Sequence, residues 1–551
     1  MSEKNPSIGR RALLKYVATA VVCGAVAGVG GYYGGITAVP QPKTVTERVT
    51  ESITKTLTET RTTTQSTTVT QSVTIPATTT VTQTVPTKTS WYEPGGLRAF
   101  INYLASRGEV VTVEKEVDPQ YEVGGYLWKY EHENPPKAVL FTRVKGSDIP
   151  IVGGLYSSWR RIGLALGIKD GLNSKRMREL WFKAIEHPVS PVEVSGGPVQ
   201  EVVMEGDKVD LRKIPVPTLF EGDGGPYITA GVGISKNPAT GKDNMGIYRM
   251  QVIDKDHIHV WGSPVSDLWD IYAYHIERKE VMDFAVAIGV DPAITFTAVA
   301  KIPQDVSEMA VAGALKGEAI RLTRGKTVDL MVPAGAEIVL EGRIDPSVAT
   351  KEGPFAEFGG IYKSGTVPVM EVKAVTTRTD PIFHTVISGP SYEHWTLTEQ
   401  GFVPFWSKNI FDYLKAKGFD NVLDVNIYWH WTMEWIIISL DKKTDEEPRK
   451  VINEAFKCDL KTYHMFPVST WARYIIVVDK DVDIYNFEDV LWAMTALLSQ
   501  QEQIVTIPDM SSWGFEVVAL KDSKTLRVGI DATRPPPLRD KIIRTNTKTV
   551  D

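Results

Sequence analysis

The first ninety residues of this chain cannot build a hydrophobic core, so any fold must come from the rest. After Lys15 no charge appears from Tyr16 to Val39. A helical run of that length is long enough to span the hydrocarbon of a bilayer. Residues 44–89 are nearly half threonine, with scattered charges and two prolines. Such a stretch has too little apolar mass to offset the entropy of ordering it. It reads as a spacer of the kind that carries O-linked sugars. Val45, Val49, Ile53 and Leu57 fall on every fourth residue, which leaves a short self-associating stalk as the alternative. Residues 1–40 therefore form a signal or anchor, residues 41–90 a spacer, and the body starts near Trp91.

Arg10-Arg11 precedes the uncharged run. That order resembles a twin-arginine export signal, which carries already folded proteins across a membrane. Signal and spacer together point to a protein that is membrane-anchored facing outside the cytoplasm, or secreted. The net charge of −6 over 551 residues gives no basic footprint for nucleic acid. Of the two cysteines, Cys23 lies in the N-terminal run, so Cys458 has no partner for a disulfide within the body. Paired Cys/His spacing of the kind that holds structural zinc is absent. So are a phosphate-binding GxxxxGK loop, a GxSxG elbow, an HExxH helix and internal repeats.

The body alternates in character, and the expected class is α/β (α+β). Leu97, Phe100, Ile101 and Leu104 mark a helix, and "EVVTVEKEV", "KAVLFTRV" and "IPIVGGLY" read as strands. "SSWRRIGLALGI" reads as a helix capped by Ser157 or Ser158. This gives an N-terminal α/β domain over 91–210. From 211 to 385 strands dominate, with a hairpin at "NPATGKDN" and one main helix opening at Ser307. That composition suggests a barrel-like β domain. Residues 386–551 return to alternating helices and strands, a C-terminal α/β domain suited to self-association.

"KEGPFAEFGG", residues 351–360, places Glu352 and Glu357 five positions apart around Gly353-Pro354. Five residues carry a helix away from its starting face, and in a regular strand they point to opposite faces. Convergence of the two carboxylates is therefore expected only through a turn. Converged carboxylates suit acid–base work, because each disfavours ionisation of the other. The alternative is a surface loop with two solvated acids.

Five segments occur in one order: "PPKAVLFTRVKGSDIPIVGG", "SSWRRIGLALG", "GDGGPYITAGVGISKNPATGKDNMGIYRMQV", "KEGPFAEFGG" and "LRVGIDATR". Together they resemble the UbiD family of decarboxylases, which use prenylated flavin mononucleotide, across about residues 97–535. The resemblance implies a central split β-barrel that binds the flavin. It implies that Arg249 orients the substrate carboxylate, that Glu352 is the arginine's partner and that Glu357 donates a proton to carbon. Asn244, Gly246, Ile247, Tyr248 and Arg249 would run along the cofactor. A divalent metal, commonly Mn2+, would hold the flavin phosphate, with a monovalent cation such as K+ nearby. Asn244 and Glu308 match two of its usual ligands.

The third ligand departs from the pattern. A histidine is expected fifteen to twenty residues after Arg249, where this chain reads "VWGSPVSDLWDIYAYH". Asp267 is the nearest residue there with ligand chemistry, and a carboxylate serves a hard cation. His257 and His259 come too early and His275 too late. The family's usual lysine near "YHMFPVSTWARYIIVV" is also not evident.

The resemblance further implies a small-molecule carboxylic acid as substrate, aromatic or α,β-unsaturated. A flavin prenyltransferase would supply the cofactor, and the enzyme would be a homo-oligomer. Two other readings stand beside it. A family member with altered chemistry would bind an acid or flavin outside the cell without turnover. A flavin-dependent oxidoreductase on the same barrel would carry ordinary flavin. The many tryptophans, among them Trp261, Trp269, Trp395, Trp406, Trp429 and Trp431, are expected in core or interface packing.

Overall fold

The structure, a computed structural model, describes residues 96–264, 266–428, 435–459, 467–512 and 524–535. The signal, the spacer, Trp429 and Trp431 lie outside the described residues. Among the described residues, no helix is long and apolar enough to cross a membrane.

The fold is mixed α/β. A four-stranded sheet orders Val110–Val113, Ala138–Phe141, Ile151–Gly153 and Phe383–His384. Its last strand comes from far beyond the stretch that supplies the first three. The helix Trp159–Ala165 starts where expected, with Ser158 accepting from Arg161 N. A five-stranded sheet near the C-terminus orders Val422–Tyr428, Trp435–Leu440, Tyr474–Asp479, Lys524–Ala532 and Ile504–Ser511. Its three inner strands are parallel and its two edges antiparallel.

Between them lies the sheet that organises the molecule. Its path runs His257–His259, Tyr362–Thr377, Ile338–Ala356, Met282–Ile288, Val232–Lys236 and Asp243–Ile247, with Val202–Glu205 also on Tyr362–Thr377. The expected hairpin joins Val232–Lys236 to Asp243–Ile247. The two ends of the path nearly meet, because Arg249 and Trp261 form a β-bridge just past the end strands. The sheet is thus a barrel with a seam, and Arg249 sits in the seam.

Met282–Ile288 shows why this region folds as it does. Phe284, Val286 and Ile288 enter one apolar cluster, while Ala285 and Ala287 enter another. The two-residue period puts large side chains on one face and small ones on the other, where helices pack close. Each fully buried large side chain contributes about 1.5–3 kcal/mol. Three helices serve this region, not one: Asp267–Arg278, Pro292–Val299 and Glu308–Lys316. Ser307 caps the third, as expected. Pro292–Val299 gave no amphipathic signal because it is buried on nearly all sides, so it lacks a polar stripe.

Glu352 and Glu357 converge, but not through a turn. They lie on and just past the long strand Ile338–Ala356, whose pairing slips between Glu352↔Gly365 and Phe355↔Lys363. Three steps on one strand oppose two on its partner, which is a bulge of one extra residue. The extra residue resets the alternation and brings Glu352, Phe355 and Glu357 to one face. Gly353 makes the bulge at φ +97°, and a Cβ there would meet Lys363 O at 2.7 Å. Gly353→Ala is expected to lower stability by about 1–3 kcal/mol, the cost of a strained non-glycine backbone. Denaturant midpoints measure it.

A second constraint sits at the start of the helix Tyr392–Ala416, which packs against the strand Val422–Tyr428 and the helices Ser174–Glu186 and Pro292–Val299. Glu393 accepts from Gly154 N at 3.0 Å, Tyr156 N at 3.1 Å and Ile387 N at 3.2 Å. Glu393 N in turn donates to Glu131 Oε2 at 3.4 Å, and Glu131 Oε1 has no hydrogen-bond partner. Burial, reinforced by the Glu393 charge, pushes the Glu131 carboxyl up to about 8. A raised carboxyl binds its proton more tightly folded than unfolded. Its stabilising contribution is full below about 4.5 and is lost as pH rises through about 8. Glu131→Gln should therefore unfold at a higher temperature than wild type above pH 8 and lose that advantage in acid. Melting curves across pH test this.

Candidate active site

A cavity of about 270 Å³ opens beside the seam. Asn244, Gly246, Ile247, Tyr248 and Arg249 all line it, on the end strand Asp243–Ile247 and the residues after it. Asn244 to Arg249 spans roughly 16 Å of extended chain. Asp267, Glu308 and Glu357 also line it, whereas Glu352 lies behind Arg249, outside the lining. The cavity therefore has two polar ends joined by the segment Asn244–Arg249.

At the first end Arg249 holds both acids. Its Nη2 donates to Glu352 Oε2 at 2.6 Å and its Nη1 donates to Glu357 Oε1. Arg249, Glu352 and Glu357 are 7%, 0% and 6% exposed, so the charges meet away from bulk water. The guanidinium lies between two rings, 4.5 Å from the Trp261 centroid and 5.1 Å from that of Phe355. Tyr227 OH donates to the other Glu352 oxygen at 2.8 Å. Glu352 is thus saturated, and burial together with its charge pushes the Tyr227 phenol up. Glu357 has Arg249 on one oxygen only. Burial raises its carboxyl pKa against the opposing pull of Arg249. An acid held in that state keeps its proton longer than a solvated one.

His394 also lines this part of the cavity. Its Nδ1 lies 3.2 Å from Gly389 O, and a carbonyl only accepts, so Nδ1 carries the proton. Burial holds the ring neutral by pushing it down to about 4. Its Nε2 is then an acceptor. Ser388 Oγ, another lining atom, is buried without a hydrogen-bond partner.

At the second end Asn244, Asp267, Glu308 and Lys301 come together. Asn244 directs its amide nitrogen toward Ser235 Oγ and Tyr248 OH, each at 3.4 Å, which leaves its carbonyl oxygen available. Asp267 Oδ1 accepts from Gln304 Nε2 at 2.8 Å, and Glu308 Oε2 accepts from Met245 N. Burial raises the Glu308 carboxyl well above its ordinary range, with Asp267 and Asp243 adding to it against Met245 N and Lys301. A second hollow of about 10 Å³ touches Asn244, Asp267 and Glu308 from the other side. That is room for one water-sized occupant. Three hard oxygen donors, crowded negative charge and an ion-sized hollow fit a divalent cation such as Mn2+ or Mg2+.

The histidines do not contribute to this end. His259 is engaged by Gln251 Oε1 and Thr350 Oγ1 at 3.1 and 2.7 Å. His257 belongs to a partly exposed group with Asp254 and Asp256. Sequence reasoning missed Tyr227, Lys301, Phe355, Ser388 and His394. Only Lys301 left a signal, a charge at the end of the apolar run "PAITFTAVAK". The tryptophans divide: Trp395 is core, Trp261 covers the arginine, and Trp406 is both buried and part of the cavity wall.

Three family models match in sequence order. The 3-octaprenyl-4-hydroxybenzoate carboxy-lyase N-terminal domain matches 101–181, the Rift-related domain 191–391 and the C-terminal domain 407–532. Among solved structures, the UbiD-class enzyme HmfF from Pelotomaculum thermopropionicum, in complex with FMN, is 31% identical at TM-score 0.71. That match covers 82% of this chain and 97% of HmfF. Vanillic acid decarboxylase from Sedimentibacter hydroxybenzoicus is 27% identical at TM-score 0.71, over 84% of this chain and 96% of its own. A 3,4-dihydroxybenzoic acid decarboxylase from Enterobacter cloacae is 26% identical at TM-score 0.70, over 83% and 97%. The three domain matches in order, with coverage of nearly all of HmfF, show that the chain belongs to the UbiD family of carboxy-lyases.

Proposed function

We propose that this protein reversibly adds or removes carbon dioxide at an aromatic or α,β-unsaturated carboxylic acid, with prenylated flavin mononucleotide as cofactor. The observation that carries this is the Arg249 fork between Glu352 and Glu357 at one end of a cavity whose other end gathers cation-binding oxygens. HmfF has been seen with FMN and, in an evolved dimeric form, with prFMN. Other relatives act on vanillic and dihydroxybenzoic acids.

The residues present fit the cofactor. Gly246 to Arg249 would face its ring, and Asn244, Asp267 and Glu308 would hold the metal at its phosphate. When bound, the prenylated flavin supplies the electron sink for the pair left as carbon dioxide departs. The chain's own residues do the rest. Arg249 presents a planar cation at the cavity wall and orients the substrate carboxylate. Glu352, held by Tyr227, keeps Arg249 in place. Glu357 keeps a proton at the oxygen that Arg249 does not hold and delivers it to carbon. Trp261, Phe355 and Phe358 exclude water from that transfer.

A prenyltransferase would load the flavin before twin-arginine export, since that route carries folded proteins. Arg10-Arg11, the uncharged run and the threonine-rich spacer support an exported, tethered or secreted enzyme. A reporter fused to residues 1–90 that stays in the cytoplasm would refute the export. Self-association is part of this reading, and light scattering tests it.

Protein co-expressed with a flavin prenyltransferase should carry flavin and release carbon dioxide from a suitable acid. Glu357→Gln should keep the flavin spectrum and lose about 10²–10⁴-fold in kcat, the usual contribution of a general acid. Undiminished turnover in that variant would remove Glu357 from the chemistry. Bound flavin with no turnover by wild type on any acid would favour the binding-protein reading instead. Because the working form of Glu357 is protonated, kcat should hold at low pH and fall as pH rises through its raised pKa. A pH–rate profile gives the sign.

A further inference from the structure

Lys301 has no role in the chemistry described so far. It follows the helix Pro292–Val299, and its backbone N donates to Gly401 O at 3.2 Å. Its side chain is partly exposed and lines the cavity at the Asp267–Glu308 end. Among the described residues its ammonium has no hydrogen bond and no carboxylate within 4 Å; it lies 5.0 Å from the Phe402 ring centroid, within the field of Asp267 and Glu308. A cavity-lining ammonium that no protein oxygen engages is free to donate to an anion that enters the cavity.

Charge counting says which ligand. The UbiD pattern places a neutral imidazole where this chain has Asp267, so this site carries one extra negative charge. Asp267 and Glu308 together match one divalent cation. A phosphate arriving beside them then needs a further positive group, and Lys301 is the cation lining that end of the cavity. The N-termini of two helices, at Asp267 and Glu308, open on the same place and favour an anion there.

We propose that Lys301 is the direct phosphate-holding residue of this chain's cofactor site and offsets the charge brought by Asp267. This rests on the flavin reading above and deepens it. With the cofactor bound, the Lys301 ammonium would donate hydrogen bonds to the phosphate oxygens, beside the Asn244, Asp267 and Glu308 oxygens that would hold the metal.

The test titrates metal-loaded, flavin-free full-length protein with FMN and with riboflavin, which lacks the phosphate, and follows quenching of flavin fluorescence. Wild type should prefer FMN. Lys301→Met should weaken FMN by about 10- to 100-fold, the range of a hydrogen bond to a charged group, and leave riboflavin unchanged. Lys301→Arg should keep much of the preference. FMN affinity unaltered in Lys301→Met would overturn the assignment while leaving the flavin reading intact. So would equal binding of both flavins by wild type, or equal loss of both in Lys301→Met with no recovery in Lys301→Arg. Wild type that binds neither flavin would overturn the flavin reading and this proposal together.

Discussion

The structure depends on one desolvated guanidinium. Arg249 is nearly buried, held by two carboxylates and flanked by two rings. Taking such charges out of water costs several kcal/mol per ion unless every lone pair and proton is matched. Here the matching is nearly complete on the Glu352 side, where Tyr227 takes the remaining oxygen. It is left incomplete on the Glu357 side, where burial raises the carboxyl pKa against the pull of Arg249. The barrel seam makes the arrangement possible: Arg249 bridges to Trp261 through its backbone while its side chain enters the cavity.

The second end obeys the same electrostatics with the sign reversed. Asp267 and Glu308 crowd negative charge into a buried space, which raises the Glu308 carboxyl. A hollow beside them has room for one small occupant. The six residues Asn244–Arg249, the first four of them on the strand Asp243–Ile247, connect these ends, so a ligand that spans them is positioned by paired backbone.

Much of the site was legible because its signals are local. The hairpin at 237–242, the caps at Ser158 and Ser307, and the run from Asn244 to Arg249 need only neighbouring residues to be read. The helix Pro292–Val299 was not legible, because full burial erases the polar stripe on which pattern reading depends. The route by which Glu352 and Glu357 converge was misread for a related reason. A bulge is defined by the partner strand, and a sequence shows only one side of the pair.

The sequence by itself determined that residues 44–89 hold too little apolar mass for a core, that strands dominate the middle third, and which arginine and acids belong to one motif. These follow from composition and from periods of two and about four residues, which are properties of the chain alone. Only the tertiary structure decided that the sheet closes at Arg249 and Trp261, that Phe383–His384 completes the N-terminal sheet, and that Lys301 faces the cavity. The second and third join residues far apart in the chain, and all three meetings are fixed by strand pairing and packing that no local pattern records.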